Sequence, residues 1–526
     1  MARFAWLLSL TVGFLSLSQE ILWVRLISFM TRGLSQSFAI VLFLFLIGIA
    51  VGSAIGKRLC ERRPDDLLRT SAMVLGLAAL VDLSLLVLLP AIVKWQLGAS
   101  VSVLIVLTAL LKSVMFPIAH HLGSQQSGAR IGRSVSKVYF GNIIGSTLGP
   151  IVTGYILLDH LTMDQCILLV GLTTALLSLL CAMRAGAVRV GVVLTAVIVP
   201  ATVLAWPGPL SLAGAIAAAD RTLKPGAYIS HVIENRNGII HTIAEPKGAP
   251  ETAMGGNVYD GRIAVDMESN PNALDRALVL LALHPNPERV LVVGLSTGAW
   301  ARILSASPRI KHMTVVEINP GYLKLIAQYP QVAPILSDPR IEIIVDDGRR
   351  WLRRHPEAHF DLFVQNTTFS WRAYSANLLS REYMQLAGAH LNPGGIAAIN
   401  STESGDVLKT ATRVFPFVER RSNFVYGSFS DLSHPIADAE NAYREMHLDE
   451  KPVFGAGAYR EGGLVTNMIH ASFVPHDHLY DGMSESPLVI SDQNIVVEQA
   501  HARMRATYPA FYREVDAARS ALHRDD

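Results

Sequence analysis

Repeated apolar runs occupy the first two fifths of the chain, between Phe4 and Trp206. Each run has about the 20 residues that an α-helix needs to cross roughly 30 Å of hydrocarbon. The pattern predicts a multi-pass bundle of about seven transmembrane helices, comparable to half of a transporter. The predicted spans are residues 4–28, 36–56, 70–93, 99–119, 138–158, 163–183 and 188–206.

The pattern changes after Pro207, where short strand-like segments replace the long apolar runs. A turn at Asn235-Arg236-Asn237-Gly238 separates the first two segments, and the third contains an Asp260-Gly261 turn, which together predict a small β-meander. The meander segments are residues 228–234, 239–245 and 257–266.

Buried strands then alternate with helices, which predicts a parallel, doubly wound α/β sheet of the Rossmann type. The predicted strands are residues 290–293, 313–316, 341–345 and 360–364. We therefore predict three parts: a transmembrane helical domain (1–207), a linker with the β-meander (208–266) and a nucleoside-binding domain (267–526).

The composition agrees with this division. A mean hydropathy of +0.34, with 51% hydrophobic and 17% charged residues, is too apolar for one soluble protein of 526 residues. The net charge of +2 and the lack of a basic run argue against a nucleic-acid partner. The expected partners are the lipid bilayer and a small-molecule ligand, and a homodimer is left open.

We expect no metal site. His476-Asp477-His478 offers two imidazoles at i and i+2, but no Cys or spaced acid completes a ligand set. The three cysteines (Cys60, Cys166 and Cys181) all lie in or beside the spans, which excludes a C-x-x-C motif and a disulfide framework.

Positive charges alternate between the predicted loops. The odd-numbered loops hold little beyond Arg32 and Lys94, whereas the even-numbered loops carry Lys57, Arg58, Arg62, Arg63, Arg69, Arg130, Arg133, Lys137, Arg184 and Arg189. By the positive-inside rule, the N-terminus and the even loops are cytoplasmic. The expected location is the plasma membrane or a bacterial inner membrane.

Several polar residues fall inside the predicted spans: Gln19, Glu20, Arg25, Asp82 and Lys112. A charge at membrane depth costs roughly 2.5 to 3.5 kcal/mol on insertion scales, so such residues are usually paired or line a polar cavity. Glu20 and Arg25 lie five positions apart and do not fit pairing within one helix, so we expect their partners on other helices. A structural ion pair and a substrate path both remain open.

Glycines at four-residue spacing predict close helix packing on two of the spans. They are Gly48, Gly52 and Gly56 on the second span, and Gly141, Gly145 and Gly149 on the fifth.

The predicted ends of the parallel strands carry residues suited to a nucleoside. Gly294 and Gly298 let backbone amides of the first turn, together with Ser296 and Thr297, approach a ligand. Glu317 closes the second strand and can accept both ribose hydroxyl protons. Asp346 and Asp347 close the third strand, where Asp347 can accept from an adenine amino group.

Four phrases in this region resemble the spermidine and spermine synthase family: His284-Pro285-Asn286-Pro287 to Gly298, Val315-Val316-Glu317-Ile318-Asn319-Pro320, Asp338-Pro339-Arg340 and Asp346-Asp347-Gly348. Membrane-fused members of that family also resemble the segments Gln19 to Leu26 and Gly132 to Pro150. The resemblance implies a methyltransferase-like fold that binds S-adenosylmethionine or its decarboxylated form. In the soluble enzymes an aminopropyl group then passes to an amine, and methylthioadenosine is released.

The chain departs from the family pattern at its catalytic positions. Thr297 replaces the acid of the first turn, Asn366 aligns with the strand-end catalytic Asp, and Phe369 aligns with a second acid. The Tyr-His-Glu of the family falls at about Asn272-Ala273-Leu274. Because an amide cannot take up a proton at neutral pH, ordinary aminopropyl transfer to a diamine is in doubt.

The same changes remove negative charge that would repel a ligand carboxylate, so S-adenosylmethionine becomes the favoured ligand. The segments 369–374 and 377–383 are expected to cover the open end of the site. Asn366, Tyr374 and Glu382 are the candidate catalytic residues, and Arg372 is a further polar group of this cover.

Two functions from different classes follow. One is a membrane-anchored transferase or lyase that acts on S-adenosylmethionine or its decarboxylated form at the propyl carbon. The other is a non-catalytic nucleoside-binding module that regulates a transporter-like membrane domain. Seven crossings place the second half outside the cytoplasm, whereas S-adenosylmethionine is made inside, so the sequence leaves the side of this domain open.

Overall fold

The structure is a computed structural model that describes residues 1–95, 98–124, 131–206, 208, 210–220, 223–366, 369–402, 404–432, 435–470, 474, 479, 487–494 and 496–499. The chain divides into two compact units, residues 1–241 and 242–526. The predicted order of a bundle of long apolar helices followed by an α/β domain is confirmed. The three-part division at residues 207 and 266 stays a prediction.

Ten α-helices are described in the first unit. They are α1 (Ala2–Met30), α2 (Gln36–Arg62), α3 (Leu67–Lys94), α4 (Gly98–Ser113), α5 (Met115–Ser124), α6 (Ile131–Val152), α7 (Leu158–His160), α8 (Met163–Arg184), α9 (Val188–Leu204) and α10 (Leu212–Ala218). A π-helical turn, Thr153–Leu157, joins α6 to α7.

Six helical segments within the described ranges are long and apolar enough to cross a membrane. They are Ala2–Met30, Gln36–Arg62, Pro64–Lys94, Gly98–Ser124, Gly132–His160 and Met163–Arg184. The seventh predicted span corresponds to α9, which has 17 residues and falls in the class of shorter apolar helices. A count of seven spans is therefore not confirmed.

The glycines of α2 and α6 lie where two helix backbones approach closely. A Cβ atom at Gly48 would lie 2.6 Å from the carbonyl oxygen of Val106 on α4, and Gly52 and Gly56 face the carbonyls of Leu110 and Val114 in the same way. On α6, Gly145 and Gly149 face the carbonyls of Leu10 and Phe14 on α1. The predicted small-residue packing is confirmed, because any larger side chain at these positions would separate the helices.

A polar cluster at the centre of the bundle satisfies its own hydrogen bonds. Lys112 and Asp82 are 1% and 0% exposed, and Lys112 Nζ lies 2.7 and 2.8 Å from the two Asp82 carboxylate oxygens. Gln19 donates to Asp82 Oδ1 at 2.7 Å and accepts from Lys112, and Thr174 donates to Asp82 Oδ2 at 3.4 Å. The cluster joins four helices through an ion pair.

Arg25 has its hydrogen-bond acceptors on a β-hairpin and not on another helix. Its Nη2 donates to the carbonyl oxygens of Asn235 at 2.7 Å and Gly238 at 3.0 Å, at the turn of a β-hairpin. Main-chain carbonyls at a turn can accept from a guanidinium, and sequence spacing gives no sign of them.

Four strands form the predicted meander: β1 (Tyr228–Asn235), β2 (Gly238–Ala244), β3 (Thr252–Gly255) and β4 (Val258–Arg262), in the sheet order β1-β2-β3-β4. The predicted Asp260-Gly261 turn was wrong, because both residues lie within β4. The turn lies at Gly256 and Asn257, whose φ angles of 59° and 63° are those of a two-residue hairpin loop.

A seven-stranded sheet forms the centre of the second unit, in the order β10-β11-β9-β8-β5-β6-β7. The five strands from β9 to β7 in this order pair in parallel, and β11 and β10 add an antiparallel edge. The strands are β5 (Arg289–Val293), β6 (His312–Glu317), β7 (Ile341–Val345), β8 (Phe360–Gln365), β9 (Leu391–Asn400), β10 (Phe417–Arg421) and β11 (Phe424–Ser428).

The central strands are buried on both faces because their apolar residues are continuous rather than alternating, as in Val290-Leu291-Val292-Val293 of β5. The same unit contains ten described α-helices. They are α11 (Asp275–Leu278), α12 (Leu280–Leu283), α13 (Ala299–Leu304), α14 (Gly321–Ile326), α15 (Gly348–Arg354), α16 (Arg381–Ala389), α17 (Gly405–Ala411), α18 (Ala439–Arg444), α19 (Leu464–Ile469) and α20 (Val496–Gln499). A two-residue ladder joins β12 (His447–Leu448) and β13 (Lys451–Pro452).

Candidate functional site

The turn after β5 has an unusual backbone that brings its amides toward the neighbouring strand end. Gly294, Ser296 and Gly298 have φ angles of 89°, 49° and 76°. Glycine adopts such angles without steric cost, whereas Ser296 is strained by them. The Ser296 hydroxyl donates to the carbonyl oxygen of Asp260 at 2.5 Å, which ties the turn to β4.

Glu317 closes β6 and lies against this turn. Its Oε2 accepts from the Leu295 amide at 2.7 Å and its Oε1 accepts from the Asn319 amide at 2.8 Å. The side chain is buried, and burial raises the pKa of Glu317 to about 7 although the two amides lower it. A carboxylate has about four acceptor positions, so these amides fix its orientation and leave capacity for ligand hydroxyl groups.

Asp260 on β4 brings a second carboxylate to the same place. Tyr322 on α14 donates its hydroxyl to Asp260 Oδ2, and the charge of Asp260 contributes to the raised pKa of Glu317. Burial raises the pKa of Asp260, and the Tyr322 hydrogen bond and the Arg372 guanidinium oppose that shift. We call Ser296, Glu317, Asp260, Tyr322 and Arg372 the strand-end site.

Arg372 supplies the positive charge of the strand-end site. Its Nη2 lies 2.6 Å from the point that a Cβ atom of Gly256 would occupy, so the β3–β4 hairpin has room for the guanidinium only because residue 256 is glycine. Burial lowers the pKa of Arg372, and the charge of Asp260 opposes that shift. Gly255 leaves room for Tyr322 in the same way, since a Cβ atom at Gly255 would lie 2.5 Å from the Tyr322 hydroxyl oxygen.

Asn366 follows β8, and its amide orientation is fixed by neighbouring asparagines. Asn400 Nδ2 donates to Asn366 Oδ1 at 3.0 Å, and Asn423 Nδ2 donates to Asn400 Oδ1 at 3.0 Å. Among the described residues, Asn366 Nδ2 has no hydrogen-bond partner. Residues 367, 368 and 403 are not among the described residues. Asn366 therefore presents a donor, where a carboxylate would present an acceptor.

Three other predicted binding residues have local roles. The Thr297 hydroxyl is buried and donates to the Arg262 carbonyl oxygen at 3.3 Å. Asp347 caps α15 by accepting from the Arg350 amide at 2.7 Å, and Asp346 accepts from Arg350 Nε at 2.6 Å. Asp347 keeps acceptor capacity on its second oxygen, whereas Asp346 is paired with arginines.

Of the other two candidate catalytic residues, one is exposed and one is paired locally. Tyr374 is 79% exposed and has a left-handed φ of 67°. The Glu382 carboxylate pairs with Arg381 at 2.9 Å and accepts from the Asp492 amide at 3.0 Å. Their catalytic roles stay predictions.

Sequence reasoning brought Glu317, Ser296 and Arg372 into view and missed Asp260 and Tyr322. Asp260 was interpreted as a turn residue, and Tyr322 lies one turn beyond Glu317 on a helix of no special pattern. The glycine pair Gly255-Gly256 was an available signal, because two adjacent glycines beside a predicted strand suggest close approach of other groups. In the described ranges no three His, Cys, Asp or Glu side chains are placed to hold a metal ion, and His476 to His478 lie outside those ranges.

Comparison with known proteins shows what the region around this site is similar to. Residues 277–422 match the model of the spermine/spermidine synthase domain. A polyamine aminopropyltransferase of Agathobacter rectalis is 38% identical over 92 residues, which are 17% of this chain and 32% of that relative. A polyamine aminopropyltransferase of Streptococcus uberis is 32% identical over 119 residues, 22% of this chain and 41% of the relative.

The chain thus spans about a third to two fifths of the length of these curated relatives. A solved spermidine synthase in complex with the transition state analogue AdoDATO aligns with a TM-score of 0.36 and 15% identity, covering 46% of this chain and 85% of that chain. The second unit contains a spermidine synthase-like domain, as its sequence phrases predicted.

Proposed function

We propose that the spermidine synthase-like domain is a transferase that binds S-adenosylmethionine or its decarboxylated form and releases methylthioadenosine. The observation that carries the proposal is the position of Glu317, oriented by two backbone amides beside the Gly294–Gly298 turn at the carboxyl ends of parallel strands. Nucleosides bind at this edge of doubly wound sheets, with an acid on the ribose hydroxyls. The relatives, named as polyamine aminopropyltransferases, support the same class of reaction.

The nucleoside half of the ligand is assigned to the turn and the two acids of the neighbouring strands. Glu317 accepts from the ribose hydroxyls through its remaining acceptor positions. Asp347 lies at the end of β7 and accepts from the adenine amino group through the oxygen that does not cap α15. Gly294 and Gly298 allow the positive φ angles that shape this turn.

The reaction is a substitution at the propyl carbon next to the sulfonium. The lone pair of an acceptor amine forms a bond to that carbon, the carbon–sulfur bond breaks, and its electrons neutralise the sulfur as methylthioadenosine leaves. The new ammonium then loses a proton to a base. Asn366 cannot serve as that base, so we assign the step to Asp260, whose carboxylate Tyr322 orients.

S-adenosylmethionine carries a carboxylate that its decarboxylated form lacks. Residues of this chain favour the donor with the carboxylate. Arg372 adds a positive charge, and Asn366 presents an amide donor where the family has an acid. Removing a like charge at about 4 Å relieves roughly 4 kcal/mol of repulsion at an effective dielectric near 20, before solvent screening. S-adenosylmethionine is therefore the proposed preferred donor.

A second candidate function is a non-catalytic nucleoside-binding module. The observation that favours it is the asparagine chain of Asn366, Asn400 and Asn423, which holds the former base position in a neutral network. Such a module binds the same ligand at Glu317 and releases no methylthioadenosine.

Methylthioadenosine release by the full-length protein, incubated with each donor and a mixture of amines, separates the two functions. We expect release by the wild type and a loss of about 10² to 10⁴ in rate for Asp260→Asn, because positioned general bases contribute about that much. Asn retains an acceptor for Tyr322, so the fold is kept. The matched control is Glu440→Gln, an exposed partner of Arg444, which should leave the rate unchanged.

No release by the wild type, with the nucleoside bound, would favour the binding module. Equal rates for wild type and Asp260→Asn would remove Asp260 from the reaction while leaving the transferase in place.

A further inference from the structure

The two ends of the helical bundle differ strongly in charge. One end carries the N-terminus and the even-numbered loops, with Lys57, Arg58, Arg62, Arg63, Arg69, Arg133, Lys137, Arg184 and Arg189. The other end carries the odd-numbered loops, where Arg32 and Lys94 are the exposed basic residues of the described ranges. We call these the basic end and the opposite end.

Helix α9 begins at the basic end. Val190 and Leu194 pack on the apolar cluster that contains Phe4 and Leu67, which are close to the N-terminus and to the start of α3. Leu194 also fills the space above Gly76, near the start of α3. The first residues of α9 are therefore level with the N-terminus and the second loop.

The chain after α9 lies at the opposite end. Leu212 and Ile216 of α10 belong to one apolar cluster with Phe29, Ile92 and Met163, which lie at the end of α1, the end of α3 and the start of α8. These three positions flank the odd-numbered loops. The chain must therefore change ends between residues 194 and 212.

Polar contacts hold the β1–β2 hairpin at the same opposite end. Arg25, near the end of α1, donates to the turn carbonyls of Asn235 and Gly238 at 2.7 and 3.0 Å. Glu234 accepts from the Met163 amide at 2.9 Å, and Arg236 pairs with Asp159 at 3.4 Å. Arg32 of the first loop pairs with Asp220 at 3.5 Å.

From these contacts we propose that α9 is a seventh membrane crossing. Its 17 residues rise about 25 Å at 1.5 Å per residue, which lies at the lower limit for a span of roughly 30 Å. Valine and leucine side chains project from it with little cover, as Val192 at 62% and Val203 at 70% exposure illustrate, and this is the surface that lipid would contact. A short helix can span because mismatch of a few ångströms costs little.

The seventh crossing sets the side on which the rest of the chain emerges. The positive-inside rule places the basic end in the cytoplasm, so the hairpin turn and Thr242, which continues strand β2, lie on the non-cytoplasmic side. No helix after Thr242 in the described ranges is long and apolar enough to return. The spermidine synthase-like domain is therefore non-cytoplasmic, and its donor must be delivered across or outside the membrane.

Single cysteines labelled with a membrane-impermeant maleimide test both parts of the proposal in the full-length chain, in right-side-out vesicles. The native cysteines Cys60, Cys166 and Cys181 are first replaced by serine or alanine. Val188→Cys and Trp206→Cys place exposed thiols at the two ends of α9, and Glu461→Cys places one on the second unit. Asp65→Cys and Ala99→Cys are matched controls for the basic and opposite ends.

We expect Trp206→Cys, Glu461→Cys and Ala99→Cys to be labelled in intact vesicles, and Val188→Cys and Asp65→Cys only after permeabilisation. Labelling of Val188→Cys and Trp206→Cys from the same side would show that α9 does not cross. Labelling of Glu461→Cys only after permeabilisation would place the domain in the cytoplasm. Neither outcome depends on whether the domain is a transferase.

Discussion

The buried carboxylates of the two units are satisfied in different ways. In the bundle, Asp82 accepts from Lys112 with both oxygens and also from Gln19 and Thr174, so its acceptor positions are filled. In the second unit, Glu317 accepts from two amides that orient it and retains acceptor positions toward the strand-end site. The first arrangement is complete without a ligand, whereas the second keeps acceptor positions that a ligand could fill.

This difference assigns the roles of the two clusters. A charge pair that is fully hydrogen-bonded within four helices stabilises one packing of those helices and has no donor or acceptor to offer a solute. Burial raises the pKa of Glu317 to about 7, so keeping its carboxylate ionised costs free energy. A ligand with hydroxyl donors can relieve that cost. We expect substitutions in the bundle to change stability and substitutions in the strand-end site to change binding and rate.

The largest stability effect is expected for Lys112→Leu. It leaves Asp82 buried without its counter-charge, which in other proteins costs about 3 to 5 kcal/mol. Thermal unfolding of the full-length protein in detergent measures the loss. The double variant Asp82→Leu with Lys112→Leu should recover much of the stability, because no charge remains unpaired. A double variant as unstable as Lys112→Leu would contradict the account of the cluster as an ion pair.

A smaller effect is expected on donor selectivity. Arg372→Gln removes the positive charge of the strand-end site and should shift preference toward the decarboxylated donor by about tenfold, after solvent access reduces the full Coulomb term. Competition between the two donors measures the shift. Asn366→Asp should act in the same direction, because it keeps the acceptor for Asn400 and replaces the amide donor with a carboxylate.

Opposite shifts in these two variants, or none in either, would remove the electrostatic argument for S-adenosylmethionine. The sequence suggested that Thr297 also affects which donor is preferred. The structure supports this less, because the Thr297 hydroxyl is buried against the Arg262 carbonyl. An Asp at position 297 would be destabilising before it could affect a ligand.

The sequence predicted the regular parts of the molecule because their signals are local. Apolar runs of span length located the six long helices, and continuous runs such as Val290 to Val293 located the parallel strands. Glu317 could be predicted as a strand-end acid because strand and acid are adjacent in sequence.

Contacts between distant residues could not be predicted. Asp260 meets Tyr322 across 62 residues, and Arg25 meets the hairpin turn across 210 and 213 residues, so nothing in the spacing indicates either pair. The β3–β4 turn was predicted at the wrong residues because Asp260-Gly261 has the composition of a turn. The positive φ angles of the turn occur at Gly256 and Asn257. The side chain of Asp260 is thereby available to the site.

Calorimetric titration of methylthioadenosine into the full-length protein tests the central claim most directly, since this ligand needs no catalysis. We expect binding that weakens at least about tenfold in Glu317→Ala, because a charge-assisted hydrogen bond contributes roughly 1.5 to 3 kcal/mol. Wild-type affinity should rise as pH increases through about 7, where Glu317 ionises and becomes a better acceptor, and Glu317→Gln should show no such rise. Unchanged affinity in Glu317→Ala, together with a flat pH profile in the wild type, would contradict the assignment of a nucleoside site to this strand end.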